Sequence, residues 1–263
     1  MCTTAEEVLN RVYPGFQWPL EQAVAWLNDG DHEKLQEAIK LLRALRKEYP
    51  DAPQIGQRLV LALIEAEDLP AAETELAATE KLFPNPDEEL FSRWGRLFRQ
   101  RGDTYANDLE VNEANRQTAI HHYRKARDKY ADAAKVRHGH YPRINVAELS
   151  LILAGLDEPH REDERPRAEE TATELLATQD AWRTDVPEDE FWHLATAAQC
   201  QMICCRWELA AGLYQQAARH PLCHDRDRTS ILGGCQRTKQ AFRRLGINEF
   251  GPLDDEGSIF ALP

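Results

Sequence analysis

The chain has little that would build a sheet. Runs in which valine, isoleucine and threonine alternate with polar residues are missing, and such runs are the main signature of half-buried strands. Long apolar runs are missing as well. The most apolar stretches, Leu59–Ala66 and Val146–Gly155, fall far short of the roughly 20 residues a membrane-crossing helix needs. Residues Met1–Glu7 are acidic and hold no apolar core, so they do not read as a secretory signal. The expectation is a cytoplasmic protein with no membrane association.

Cysteine is sparse and badly placed for a disulfide framework. Cys200, Cys204 and Cys205 lie in one predicted helix, and Cys2, Cys223 and Cys235 are scattered. Adjacent Cys204 and Cys205 pair poorly with each other, so the expectation is reduced thiols filling core space. The segment His220–His224 carries metal-ligand residue types, with Cys200 and Cys204 before it. It lacks the tight paired spacing of a zinc site. It reads as a loop beside core cysteines, and no metal is expected. Kinase motifs are missing: there is no glycine-rich loop, no His-Arg-Asp and no Asp-Phe-Gly. A Gly-x-Ser-x-Gly nucleophile turn is missing too. No catalytic residue and no cofactor is expected.

Positive charge is in deficit overall. The formal net charge is −13, which argues against general nucleic-acid binding. The exception is local. Residues 93–143 hold 12 Lys/Arg against 6 Asp/Glu, while the remainder holds 20 against 39. A basic middle is flanked by acidic ends.

What the chain does have is good helix formers, led by alanine, leucine, glutamate, arginine and glutamine. It also repeats itself. Ala38 and Ala72, Leu42 and Leu76, and Pro50 and Pro84 are each 34 positions apart, the tetratricopeptide period. The chemistry of that spacing is simple. A small residue lets the second helix of a pair approach the first. A large apolar residue four positions on shares its face, and a terminal proline cannot continue the helix. Phe91, Trp94, Gly95 and Phe98 open a third copy, whose second helix carries Ala119, Tyr123 and Ala126. Between them an insertion is expected near residues 103–115, with 102–108 as loop. A fourth copy has a first helix over about 144–154 stopped at Gly155, a charged loop over 157–165, and a second helix from Pro166 to Thr178. Leu194, Ala197, Ala198, Gln201, Ala210, Tyr214 and Ala217 mark a fifth.

The expected architecture is an all-α, tetratricopeptide-like right-handed α-solenoid over 1–246. Its repeats fall at about 19–50, 53–84, 88–131, 143–178 and 190–221, with a capping helix at 229–245. An irregular tail is expected over 247–263. Each helix pair cannot bury its apolar face alone, so stacking makes the core and a curved surface.

The residues Gly95-Arg96-Leu97-Phe98, Ala119–Arg124, Tyr141–Ala147, Leu149–Gly155 and Phe191-Trp192 carry a resemblance. Residues 91–217 resemble the TRAF-binding regulatory domain of apoptosis-signal-regulating kinases, which also occurs in bacterial tetratricopeptide proteins. The family's Gly-Ile-Asn stands here as Arg143-Ile144-Asn145. The resemblance implies a helical repeat domain that regulates or scaffolds another protein, without catalytic residues of its own.

In a tetratricopeptide pair the first helix lines the concave face at positions between its packing residues. In the third copy these are Glu89, Ser92, Arg96 and Arg99. Arg96 and Arg99 share a helical face, and a guanidinium can grip carboxylate or phosphate with two hydrogen bonds. With Tyr141 and Asn145 they form the expected partner-binding set, suited to a protein or peptide with acidic groups. The alternative expectation is a sensor subunit that holds a small nucleotide-like anion in the basic centre.

Overall fold

In this computed structural model, residues 15–83, 87–106, 112–137, 139–182 and 190–260 are described. Among them there is no strand. The chain divides into two compact units, residues 1–100 and 101–263.

The first unit holds α1 (Gln17–Asp29), α2 (His32–Glu48), α3 (Pro53–Glu65), α4 (Leu69–Glu80) and α5 (Glu88–Ala106) as far as Gln100. Local chemistry sets the boundaries. Asp31 accepts hydrogen bonds from the amides of Glu33 and Lys34 at 2.8 and 3.1 Å, capping α2. Pro53 opens α3, where a missing N–H costs nothing. Asp68 caps α4 through the Ala71 amide. Buried Ala23, Ala38 and Ala72 lie among Leu27, Leu41, Leu42, Ile55, Leu59, Leu76, Leu90 and Leu97 in one core cluster. Each fully buried leucine contributes roughly 1.5–3 kcal/mol. Arg46 of α2 donates to Glu75 of α4 at 2.7 Å.

The second unit holds the last turn of α5, then α6 (Glu113–Arg137), α7 (His140–Leu156), α8 (Arg161–Ala177), α9 (Glu190–Ile203), α10 (Trp207–Ala218), α11 (Asp225–Arg244) and α12 (Glu256–Phe260). Ala119, Tyr123, Ala126 and Tyr130 of α6 are buried, as are Ala147, Leu151 and Leu153 of α7. Arg124 pairs with Asp157, Arg127 with Glu164, and Arg143 with Glu174, lacing the segments after α7 to their neighbours.

Several details differ from the sequence expectation. The stretch 102–106 is helix, not loop, and residues 107–111 lie outside the described residues. Gly102 is a packing device: a Cβ there would stand 2.6 Å from the Tyr123 ring. Gly155 does not stop α7, which continues to Leu156. A Cβ at Gly155 would meet the Ala241 carbonyl at 3.0 Å, so this glycine admits a neighbouring helix. α8 begins at Arg161 rather than Pro166. Glu162, Asp163 and Glu164 favour the positive end of a helix in its first turn, and the Arg127 pair holds Glu164 there. The helix expected at 229–245 begins at Asp225. The tail is not irregular over residues 251–260: a 3-10 turn (Gly251–Asp254) leads into α12. Phe250 is fully buried, edge-on to Trp207 at 5.4 Å between ring centres.

Candidate functional site

α5 carries four of the six expected partner-binding residues. Glu89 is exposed and accepts from Arg93 one turn on. Ser92 is only 5% exposed, and its hydroxyl has no hydrogen-bond partner among the described residues. Arg96 is part-buried and donates to Glu65 Oε1 at 3.2 Å. Arg99 is also part-buried. The remaining two lie on α7 in the second unit. Tyr141 is exposed, with its ring edge-on to Tyr130 at 6.1 Å. Asn145 is buried, and its amide donates to the Tyr141 carbonyl at 2.8 Å. Asn145 thus spends a donor inside its own helix, and Ser92 lies beneath the surface. Glu89, Arg96, Arg99 and Tyr141 are the members of the set with accessible surface.

Glu65 is not among the expected residues, although a signal for it exists. It stands 34 positions before Arg99, the equivalent place in the preceding first helix. An acid in one repeat therefore faces a base of the next. That pair presets the chemistry of the face. Arg96 already holds a carboxylate, and any incoming acid competes with Glu65 for it.

The first-helix face of the second unit carries groups that sequence reasoning missed. Glu148 of α7 is 2% exposed and accepts from Arg237 Nε of α11 at 2.9 Å. Gln199 of α9 donates to Thr238 Oγ1 of α11 at 3.4 Å. Nearby, the Tyr214 hydroxyl is fully buried without a hydrogen-bond partner among the described residues. Burial pushes its ionisation far above the ordinary tyrosine value. Asymmetric charge flags the basic middle but says nothing of Glu148, because a single acid on an apolar helix carries no local signature.

A ring cluster marks the N-terminal ends of α7 and α9. His140 stacks on Trp182 at 5.1 Å and meets His193 edge-on at 4.7 Å. His138 lies outside the described residues. No group of three or more His, Cys, Asp or Glu among the described residues could hold a metal. Cys223 is buried, and desolvation pushes its thiol up to about 11. Cys235 is likewise pushed up to about 12 by burial. Thiols held protonated are poor nucleophiles and poor ligands.

These helix pairs define an all-α, tetratricopeptide-like solenoid fold, a class whose repeats generally mediate protein–protein interaction. Residues 34–150 match the family described as TPR-S, Tetratricopeptide Repeats-Sensor. The crystal structure of a thermophilic TPR protein in Thermus thermophilus is similar in fold. It shares 16% identity at a TM-score of 0.57, covering 84% of this chain and 98% of that one. No curated protein matches the sequence. No described helix is long and apolar enough to cross a membrane.

Proposed function

We propose that the chain is a non-catalytic adaptor or regulatory module of the cytoplasm, similar in role to the TRAF-binding regulatory domain it resembles. It recognises an acidic segment of another protein on the α5 face, through Arg96 and Arg99, with Glu89 at an accessible position of the same helix. The observation that carries this reading is the Arg96–Glu65 pair. It holds a guanidinium on a part-buried face, within the basic stretch 93–143. A cation partly withdrawn from water binds a carboxylate more strongly than a fully solvated one. The opposite charge of the surroundings favours approach of an acidic partner at this place.

Calorimetric titration of the native partner, recovered by pull-down and mass spectrometry, tests the reading. Binding should weaken with added salt and with neutral replacements at Arg96 and Arg99. Equal affinities for wild type and variants would discard it. A thermal-shift series with nucleotides separates the sensor alternative, because a ligand that binds the folded chain alone raises its melting temperature.

A further inference from the structure

The C-terminal helix α11 does not simply stack on the last helix pair. It runs along α7, the first helix of the fourth pair, and reaches α9 and the end of α5. Glu148 lies opposite Arg237, and Gly155 lies opposite Ala241 and Arg244, so the two helices point the same way. Gln240 and Arg244 donate to the Ala106 carbonyl, supplying a donor where α5 leaves its last carbonyls open. The residues of α11 that make these contacts are Gly234, Arg237, Thr238, Gln240, Ala241 and Arg244. Their spacing of three and four places them on one face. This is how an amphipathic ligand helix is read by a groove.

We propose that the first-helix face of α7 and α9 is a helix-binding groove whose resident occupant is α11, and that a partner helix with the same stripe of small residues and arginine engages by exchanging for it. The two sides of α11 are held by different chemistry. Toward α7 and α9 the contact includes the part-buried Glu148–Arg237 ion pair, one hydrogen bond from the Gln199 amide to the Thr238 hydroxyl, and close backbone approach at Gly155. On the other side Phe242 packs edge-on to Trp207 at 5.2 Å, and Lys239 is tied to Glu256 at 2.8 Å and to the Leu253 carbonyl at 2.9 Å. The polar side is the side that opens, since water can replace its hydrogen bonds, whereas the aromatic side tethers the helix to the tail. The Tyr214 hydroxyl, buried and unpartnered among the described residues beside Glu148 and Arg237, shows that the resident helix leaves a polar group unsatisfied. The groove sets the partner's chemistry: glycine or alanine opposite Gly155, and an arginine opposite Glu148.

This inference rests on the reading of the chain as a protein-binding repeat, but its test needs no partner. In the full chain, Thr238→Cys puts a thiol on the covered face. Alkylation with iodoacetamide, mapped by mass spectrometry, should proceed at least about tenfold faster than global unfolding followed by tryptophan fluorescence, because local opening precedes global unfolding. A fluorescent peptide of residues 225–244 should bind the full-length Arg237→Glu variant at least about tenfold more tightly than wild type, since the reversed charge faces Glu148 and frees the groove. The same peptide with glutamate at the position of Arg237 should not bind. Labelling at Thr238→Cys that keeps pace with global unfolding, or an Arg237→Glu chain with no gain in peptide affinity, overturns the proposal. If Arg237→Glu does not fold, the labelling arm decides. Loss of partner binding in Arg96 and Arg99 variants would leave both arms unchanged, so the two readings fail separately.

Discussion

Tyr123 sits over the bare backbone of Gly102 and donates its hydroxyl proton to Asp103 Oδ1 at 2.8 Å. One side chain thus reads two consecutive residues of the neighbouring helix. The glycine clears room for the ring, and the aspartate satisfies its polar end. Gly102→Ala should destabilise the chain by roughly 1–3 kcal/mol, the usual cost of overpacking a close contact. Urea titration at neutral pH gives the figure. An unchanged midpoint would mean the α5–α6 approach is looser than the structure shows.

Tyr123→Phe keeps the ring and deletes the hydrogen bond. A loss of roughly 1.5–3 kcal/mol is expected, as for a bond to a charged acceptor. Asp103→Asn should cost less, because the amide oxygen can still accept. Comparing the two variants by thermal denaturation separates the bond from the packing.

Ala72 is fully buried in the first unit's core. Ala72→Leu should lower stability by roughly 1–3 kcal/mol, and Ala119→Leu should do the same in the second unit. A melting temperature untouched by Ala72→Leu would reject the 34-residue register.

Removing the internal competitor at the α5 face should show in binding. Glu65→Gln removes one carboxylate that holds Arg96 and should tighten association with an acidic partner. Arg96→Gln together with Arg99→Gln should weaken it more than tenfold, since a charge-assisted hydrogen bond contributes roughly 1.5–3 kcal/mol and about 1.4 kcal/mol is tenfold. Glutamine is the better replacement here, because a glutamate at Arg96 would face Glu65 and disturb the fold. Calorimetry that finds Glu65→Gln and wild type equal would show that the pair is not in the binding path.

The Lys239–Glu256 pair carries a pH signature. Desolvation works to raise the Glu256 carboxyl, but hydrogen bonds from Lys239 and Gln236 and the nearby positive charges outweigh it and hold the group below its ordinary value of 4.5. A carboxyl depressed in the folded state adds stability that is fully present above its unfolded pKa and is lost as pH falls through the folded value. Wild type should therefore lose stability below about pH 4.5, and Glu256→Gln should lose less over the same range. Parallel stability curves for the two proteins between pH 7 and pH 3 would refute this.

Alanine and leucine at a fixed period make the helix pairs legible, since those residues report local packing that every repeat must satisfy. Glycine misleads at two places where its role is non-local. At Gly102 and Gly155 the absent side chain serves Tyr123 and Ala241, which no local pattern connects to them. Pro166 misleads in the same manner, because the turn before it is held by Arg127 from another helix. Of the expected binding set, Ser92 follows from helical phase and Asn145 from the stretch that carries the resemblance. Phase gives the side of a helix but not whether another segment covers it, and both are buried. Phe250 and α12 escape notice because a short segment rich in glycine, proline and acids has no period, and its order comes from the surface it lands on.

That landing has a consequence for how many molecules stand together. A helix-pair array ends in an apolar face much like the faces inside it, and such a face will take any matching pair, including one from another copy of the chain. Here Phe250, flanked by Trp207 and Phe242 and roofed by Lys239 and Arg243, occupies that end, with Phe260 against Tyr214 beyond it. By that logic the tail acts as a chain terminator in the polymer chemist's sense, and a chain cut after residue 246 is expected to self-associate through the face so bared.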